Sequence, residues 1–205
     1  MSTKRKGWGI AVAACAGIWL VQNGSENVTP PVPSAAEAFA AGPNAHTDAA
    51  ADPLPPSAPL RLRIPEIDVD TPMMELGLGR NDALDVPPAS DRNIAGWYKD
   101  GTPPGAKGTA IVAGHVDNAQ GPAVFYALGA LKKGNRIEVD RQDGRTAVFT
   151  VDAVEVYENE RFPDEKVYGE ADRAELRVIT CGGGFSKKTG YRGNVVAFGH
   201  LIGVR

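Results

Sequence analysis

The residue with the clearest chemical promise is Cys181, which ends the β-branched run Arg177-Val178-Ile179-Thr180 and is followed at once by Gly182, Gly183 and Gly184. Alternation puts Val178 and Thr180 on one side of a strand, with Ile179 and Cys181 on the other. The glycines are expected to break that strand and open backbone conformations closed to other residues. A thiol at such a junction is held firmly and can still be reached. The only other cysteine, Cys15, lies in an apolar N-terminal run, so the folded part offers Cys181 no disulfide partner. A thiol is largely protonated near neutral pH and needs a base or cation beside it to act as a nucleophile. His115 closes the apolar run 109–114 (TAIVAG), with Asp117 just after it. Arg192 follows Cys181 by eleven positions and comes back beside it across a hairpin. There a guanidinium can favour thiolate and donate hydrogen bonds to an oxyanion. Nucleophile, base and oxyanion donor together point to covalent acyl chemistry. Each has a plainer reading taken alone: a small buried hydrophobe for Cys181, a solvated charge for Arg192. His200, near the C-terminus, reads as a surface or internally satisfied histidine.

These residues need rigid elements. Leu62, Ile64, Ile67, Val69 and Met73 predict two short strands interrupted by Pro65, and a loop follows Gly77 and Gly79. Residues 109–114 form a compact buried strand that delivers His115. Pro122 to Leu128 suits one or two helical turns with Pro122 near the start. The stretch 136–140 alternates, Asp143-Gly144 is a hairpin turn, and 146–157 is a long second strand. A charged connection, 158–172, holds a short helix near 164–168. Residues 176–181 and 194–201 are the last two strands, joined by a loop over 182–193. Seven or eight strands with scant helix over roughly 145 residues indicate an all-β closed barrel or sandwich.

Composition narrows the classes. A net charge of −3 and a pI near 5.7 leave no basic surface for nucleic acid. Apolar residues at 42% and charged residues at 23% fit a globular domain and exclude a multi-span membrane protein. Lys4-Arg5-Lys6 precede an apolar run over 7–21 bounded by Trp8 and Trp19, so residues 1–22 read first as an uncleaved signal-anchor and second as a cleaved signal peptide. Val12-Ala13-Ala14-Cys15 is like a lipobox, but the apolar run continues past the cysteine. Residues 23–59, rich in Ala, Pro, Ser, Asn and Gly, read as a disordered tether holding an extracellular domain off the membrane. Residues 60–205 form the folded domain.

The order His115 … Thr180-Cys181 … Arg192 resembles the sortases, cysteine transpeptidases of Gram-positive bacteria, and most of all their class F group in actinobacteria. The resemblance rests on Arg63-Ile64-Pro65, Gly96-Trp97-Tyr98, Ala113-Gly114-His115-Val116-Asp117, Ile179-Thr180-Cys181-Gly182-Gly183 and Tyr191-Arg192-Gly193-Asn194-Val195-Val196, and spans residues 60–205. It implies a closed eight-stranded β-barrel with a few short helices. It implies that Cys181 attacks the Thr–Gly bond of an LPXTG-type sorting signal on a surface protein and forms a thioacyl enzyme. His115 then protonates the departing amine and later takes a proton from the incoming one, an amine of a peptidoglycan precursor or a pilin lysine. Arg192 binds the substrate backbone and oxyanion, and Thr180 adds a contact beside the nucleophile. The connection before the cysteine strand would form the substrate wall, with Phe162 and Tyr168 as its binding residues. No cofactor or metal is implied, and Asp117, Asp140 and Asp152 read as strand-end charges. Ser186-Lys187-Lys188 depart from the acidic loop common in the family, which bears on substrate preference.

Rival cysteine chemistries fit less well. Papain-like wall hydrolases place the cysteine before the histidine, L,D-transpeptidases need Ser-x-Gly-Cys, and thioredoxin-like proteins need Cys-x-x-Cys. Outside enzymes, the alternative is an extracellular β-barrel binding domain with Cys181 inert and buried.

Overall fold

The computed structural model describes residues 29–39, 48–79, 83–186 and 190–205. The N-terminal stretch read as an anchor, residues 1–22, lies outside them; among the described residues no helix is long and apolar enough to cross a membrane.

Eight strands close into a barrel in the order β1-β2-β3-β4-β9-β10-β8-β7. They are β1 (Pro59–Ile64), β2 (Val69–Leu76), β3 (Ala95–Tyr98), β4 (Gly108–Ala113), β7 (Arg136–Arg141), β8 (Thr146–Glu158), β9 (Ala174–Ser186) and β10 (Gly190–Val204). Two more, β5 (Asp117–Asn118) and β6 (Gly121–Pro122), make a small hairpin after His115. One short helix, α1 (Asp164–Tyr168), falls where the sequence puts it. Closure leaves no barrel strand with an unpaired edge. Pro65 ends β1 in a 3-10 turn over Pro65–Ile67, and Asp68 then adopts a left-handed conformation that restarts the chain as β2.

The alternation read in the sequence becomes two apolar layers. Inside the barrel lie Leu62, Val112, Phe149, Val178, Val195 and others, nearly all fully buried. On the outer face of β4, β9, β10 and β8 a second cluster gathers Ile111, Ala153, Ile179, Val196 and Phe198, and Val167 of α1 caps it. The outer layer exists because the 159–173 connection folds back over the sheet, so even-period burial on β9 holds on both faces.

Two elements differ from expectation. Gly182, Gly183 and Gly184 do not end β9. Gly182 stays paired with Gly193 of β10, pairing resumes at Phe185 opposite Tyr191, and the 182–186 and 190–193 stretches read as loop are strand. Backbone pairing needs no side chain, and Gly183 and Gly184 absorb a bulge at φ 73° and 90°. Pro122 does not open a helix. Asp117 pairs with Pro122 and Asn118 with Gly121, and the following chain makes tight turns up to a 3-10 turn at Leu128–Ala130.

Part of the stretch read as a tether is described, and it is in contact with the folded domain. Residues 48–58 run against the barrel: Ala51 N–H bonds the Leu201 carbonyl at 2.9 Å, Leu54 N–H bonds the Gly105 carbonyl at 2.8 Å, and Ala51, Leu54 and Ala58 pack on the core. His200 reinforces this strap. Its Nδ1 lies 2.8 Å from the Asp152 carboxylate and its Nε2 2.9 Å from the Asp48 carbonyl. Further upstream, Phe39 packs edge-on against Phe198 at 5.1 Å with Lys166 above its ring, and its N–H donates to Glu155. Few large apolar residues were needed, because backbone groups and a handful of side chains dock onto partners supplied by the barrel.

Candidate active site

The nucleophile sits on the outer face of the sheet. Cys181 is paired with Asn194 on β10 and lies two residues beyond Ile179, so its side chain shares the outer face with Ile179 and Asn194, about 7 Å further along the strand. The residue is exposed, which removes the reading of an inert buried thiol. The sulfur is nonetheless packed on its protein side. That desolvation, and then the nearby Asp117 charge, push the thiol above its ordinary pKa.

His115 reaches the same place through the parallel β4–β9 ladder. Ala113 pairs with Ile179, the Gly114 N–H bonds the Ile179 carbonyl at 3.2 Å, and Thr180 Oγ1 donates to the Gly114 carbonyl at 2.9 Å. Two residues beyond Ala113 thus run beside two residues beyond Ile179: His115 beside Cys181. The imidazole is half-buried, with Nε2 2.7 Å from the Pro87 carbonyl. A carbonyl only accepts, so Nε2 carries a proton and donates. Nδ1 has no partner among the described residues and is the nitrogen left for proton transfer.

Arg192 is delivered by the bulge. Gly193 pairs with Gly182 and Tyr191 with Phe185, so Gly183 and Gly184 together oppose the single residue Arg192. The guanidinium lies over Gly184: a methyl group there would come within 3.1 Å of it. The glycines read as strand breakers are therefore what lets an arginine side chain cross the face beside the thiol. Arg192 also borders a cleft of about 460 Å³ with Glu158, Asn159, Glu160, Gly183 and Tyr191.

Thr180 takes a different role from the one expected. It is buried on the barrel side of β9, and its hydroxyl is committed to Gly114. It fastens the cysteine strand to the histidine strand and presents nothing to a substrate. Of the two proposed wall residues, Tyr168 is exposed and lines a cavity of about 650 Å³ over Ile111, with Leu78, Leu84 and Tyr98 also in its wall. Phe162 packs inside the outer cluster, 5.9 Å from the Tyr157 ring and 5.6 Å from that of Tyr168, and does not line the cavity.

Asn194, Pro87 and Tyr191 had no role assigned from the sequence, although Tyr191 and Asn194 stand in the motif around Arg192. Asn194 Nδ2 donates to Asn159 Oδ1 at 3.0 Å, tying the connection to the strand position opposite Cys181. Pro87 orients His115 from a segment without periodicity. Tyr191 hydrogen-bonds Asp117 and stacks on Phe185 at 5.2 Å. Asp117 was read as a strand-end charge; its field at the thiol brings it into the site. Among the described residues, no group of three or more His, Cys, Asp or Glu is placed to hold a metal ion.

Comparison with known proteins agrees on family and fold. The Sortase domain family matches residues 62–202. Sortase A of Listeria monocytogenes is similar in structure at a TM-score of 0.53 and 21% identity, over 73% of this chain and 90% of that one. The SrtA sortase of Actinomyces oris is similar at 0.54 and 19%, over 82% of this chain and 89% of that one. A lid mutant of sortase A from Corynebacterium diphtheriae gives 0.55 and 19%, over 71% and 70%. No curated protein sequence matches the chain significantly.

Proposed function

The chain belongs to the sortase family, with its general transpeptidase role, and from that premise we propose a class F enzyme that cleaves LPXTG-type sorting signals between Thr and Gly and transfers the surface protein to a cell-wall amine. The reading rests on one observation above the rest: the β4–β9 and β9–β10 ladders bring the end of the His115 strand and the arm that carries Arg192 to the two sides of the strand that holds the exposed thiol. Cys181 Sγ attacks the threonine carbonyl carbon as its proton passes to His115 Nδ1. Arg192 donates to the oxyanion that forms, the term that weighs most in acyl transfer. Collapse of the tetrahedral species breaks the C–N bond, and the imidazolium returns its proton to the leaving glycine amine. An incoming amine then attacks the thioester, His115 takes its proton, and Cys181 leaves as the restored thiol. The raised thiol pKa fits a resting state that is mostly Cys–SH.

The cavity beneath Tyr168 suits the leucine and proline of the signal, being apolar at Ile111, Leu78 and Leu84. The acceptor is an amine of a peptidoglycan precursor or a pilin lysine, and residues 1–22 hold the enzyme at the outer membrane surface.

The deciding experiment is intact mass of the full chain after incubation with an LPXTG peptide, beside Cys181→Ala, with and without an amine acceptor. The expected result is a thioacyl adduct in the wild type alone that amine converts to ligated product. Absence of adduct despite ready alkylation of Cys181 would assign the thiol to another substrate.

A further inference from the structure

Arg192 and His115 arrive at the thiol on separate hairpins, and one contact joins those hairpins. Tyr191, the residue before Arg192, donates its hydroxyl to the carboxylate of Asp117, two residues after His115. Phe185 packs on the Tyr191 ring at 5.2 Å with the planes tilted by 59°, so the β9–β10 arm presents Tyr191 from an aromatic pair. We propose that Asp117 and Tyr191 form a latch and are positioning residues of the reaction, fixing the arm that carries Arg192 against the segment that carries His115. The inference rests on the sortase reading for the reaction it serves.

The groups around the latch are few. Asp117 comes from β5, Tyr191 and Arg192 from β10, Cys181 from β9, His115 from the end of β4, and Tyr126 from the turn after β6. The Tyr126 hydroxyl is buried there without a partner among the described residues, and burial first, then the Asp117 charge, pushes both tyrosines above the ordinary phenol range. Asp117 is thus the anion of this corner. Its charge acts on the thiol, and the Tyr191 hydroxyl partly offsets that charge by donating to it. A latch of this kind predicts opposite electrostatic consequences for its two halves. Removing the carboxylate charge favours the thiolate; removing the hydroxyl exposes the full charge and disfavours it.

The test uses the full chain with Asp117→Asn, Asp117→Ala, Tyr191→Phe and the Ala/Phe double variant, with thermal melting of each alongside. The first readout is the pH profile of Cys181 alkylation by a small uncharged iodoamide, which needs no peptide. The midpoint should move to lower pH in Asp117→Asn, where the amide oxygen still accepts from Tyr191, and to higher pH in Tyr191→Phe. The second is transpeptidation of an LPXTG peptide. Tyr191→Phe and Asp117→Ala should each lose about tenfold or more in kcat, since displacing a catalytic group by an ångström costs that much. The double variant should lose no more than the poorer single one. Unmoved midpoints, midpoints moving the same way, or a kcat within twofold of wild type in Tyr191→Phe overturns the latch. A wild type that turns over no peptide refutes the sortase reading instead, and the alkylation profiles then decide the latch alone.

Discussion

At the scale of single residues, the site depends on what glycine permits and what arginine alone supplies. Gly184 holds φ 90° with the Arg192 guanidinium across it. Gly184→Ala is expected to cost about 1 kcal/mol or more in stability for the left-handed backbone. It should also push the guanidinium off the face, so that kcat falls while the rate of thiol alkylation stays near wild type. Urea melts and steady-state transpeptidation read the two effects separately. Arg192→Lys keeps a positive charge but presents a point charge in place of a planar fork. It should lose about 10²- to 10³-fold in kcat and still form the mixed disulfide with a small thiol reagent. Much of this was legible in the residues themselves. Cys181, His115 and Arg192 announce their chemistry by type, order and neighbours. Asn159, Asn194 and Pro87 do not, because an amide bridging thirty-five positions and a carbonyl oriented by a loop leave no local pattern to read.

At the scale of elements, strands with clear alternation were readable: β4, β7, β8 and the start of β9 fall close to the expected positions, and α1 matches its span. The missed features are those decided by tertiary partners. Gly182–Gly184 read as a break because glycine weakens an isolated strand, yet β10 supplies ladder partners that a single chain segment cannot reveal. The strap over 48–58 was missed for the same reason. Its best-defined fastening is His200, whose two ring nitrogens face a carboxylate and a carbonyl, both acceptors only. The ring therefore carries both protons, and the bond to Asp152 raises its pKa above the ordinary histidine value. A raised pKa means stability that is fully present below the unfolded-state value and lost as pH rises through the folded one. Urea midpoints should accordingly fall as pH rises above the ordinary histidine pKa. In His200→Gln that part of the slope should disappear. An unchanged slope would show that the ring is neutral in the fold.

For the whole molecule, the folded unit extends past the boundary that composition marks at residue 60. Arg141 has a fully buried side chain whose guanidinium donates to the Pro104 carbonyl at 2.6 Å and to the Pro55 carbonyl. A chain cut before Leu60 removes Pro55 together with the packed Ala51 and Leu54, and leaves that buried cation short of a partner. It should be less stable than a chain cut before Asp48 by at least about 2 kcal/mol, as chemical denaturation of the two would show. The candidate site lies outside the barrel, so interior packing sets stability while the cavity lined by Ile111 and Tyr168 is the surface proposed to meet substrate. Upstream of both, the docking of 29–39 has a geometric consequence. Glu37 accepts the Lys133 N–H, Lys133 Nζ donates to Ala38, and the Pro31 carbonyl lies against Gly129. With residues 1–22 proposed as the anchor, the chain between it and the docked Pro31 is about eight residues, which span under roughly 30 Å at full stretch, against roughly 130 Å for the whole of 23–59. On that proposal the enzyme would work close to the bilayer surface, and the sorting signals within its reach would be those still held in the same membrane.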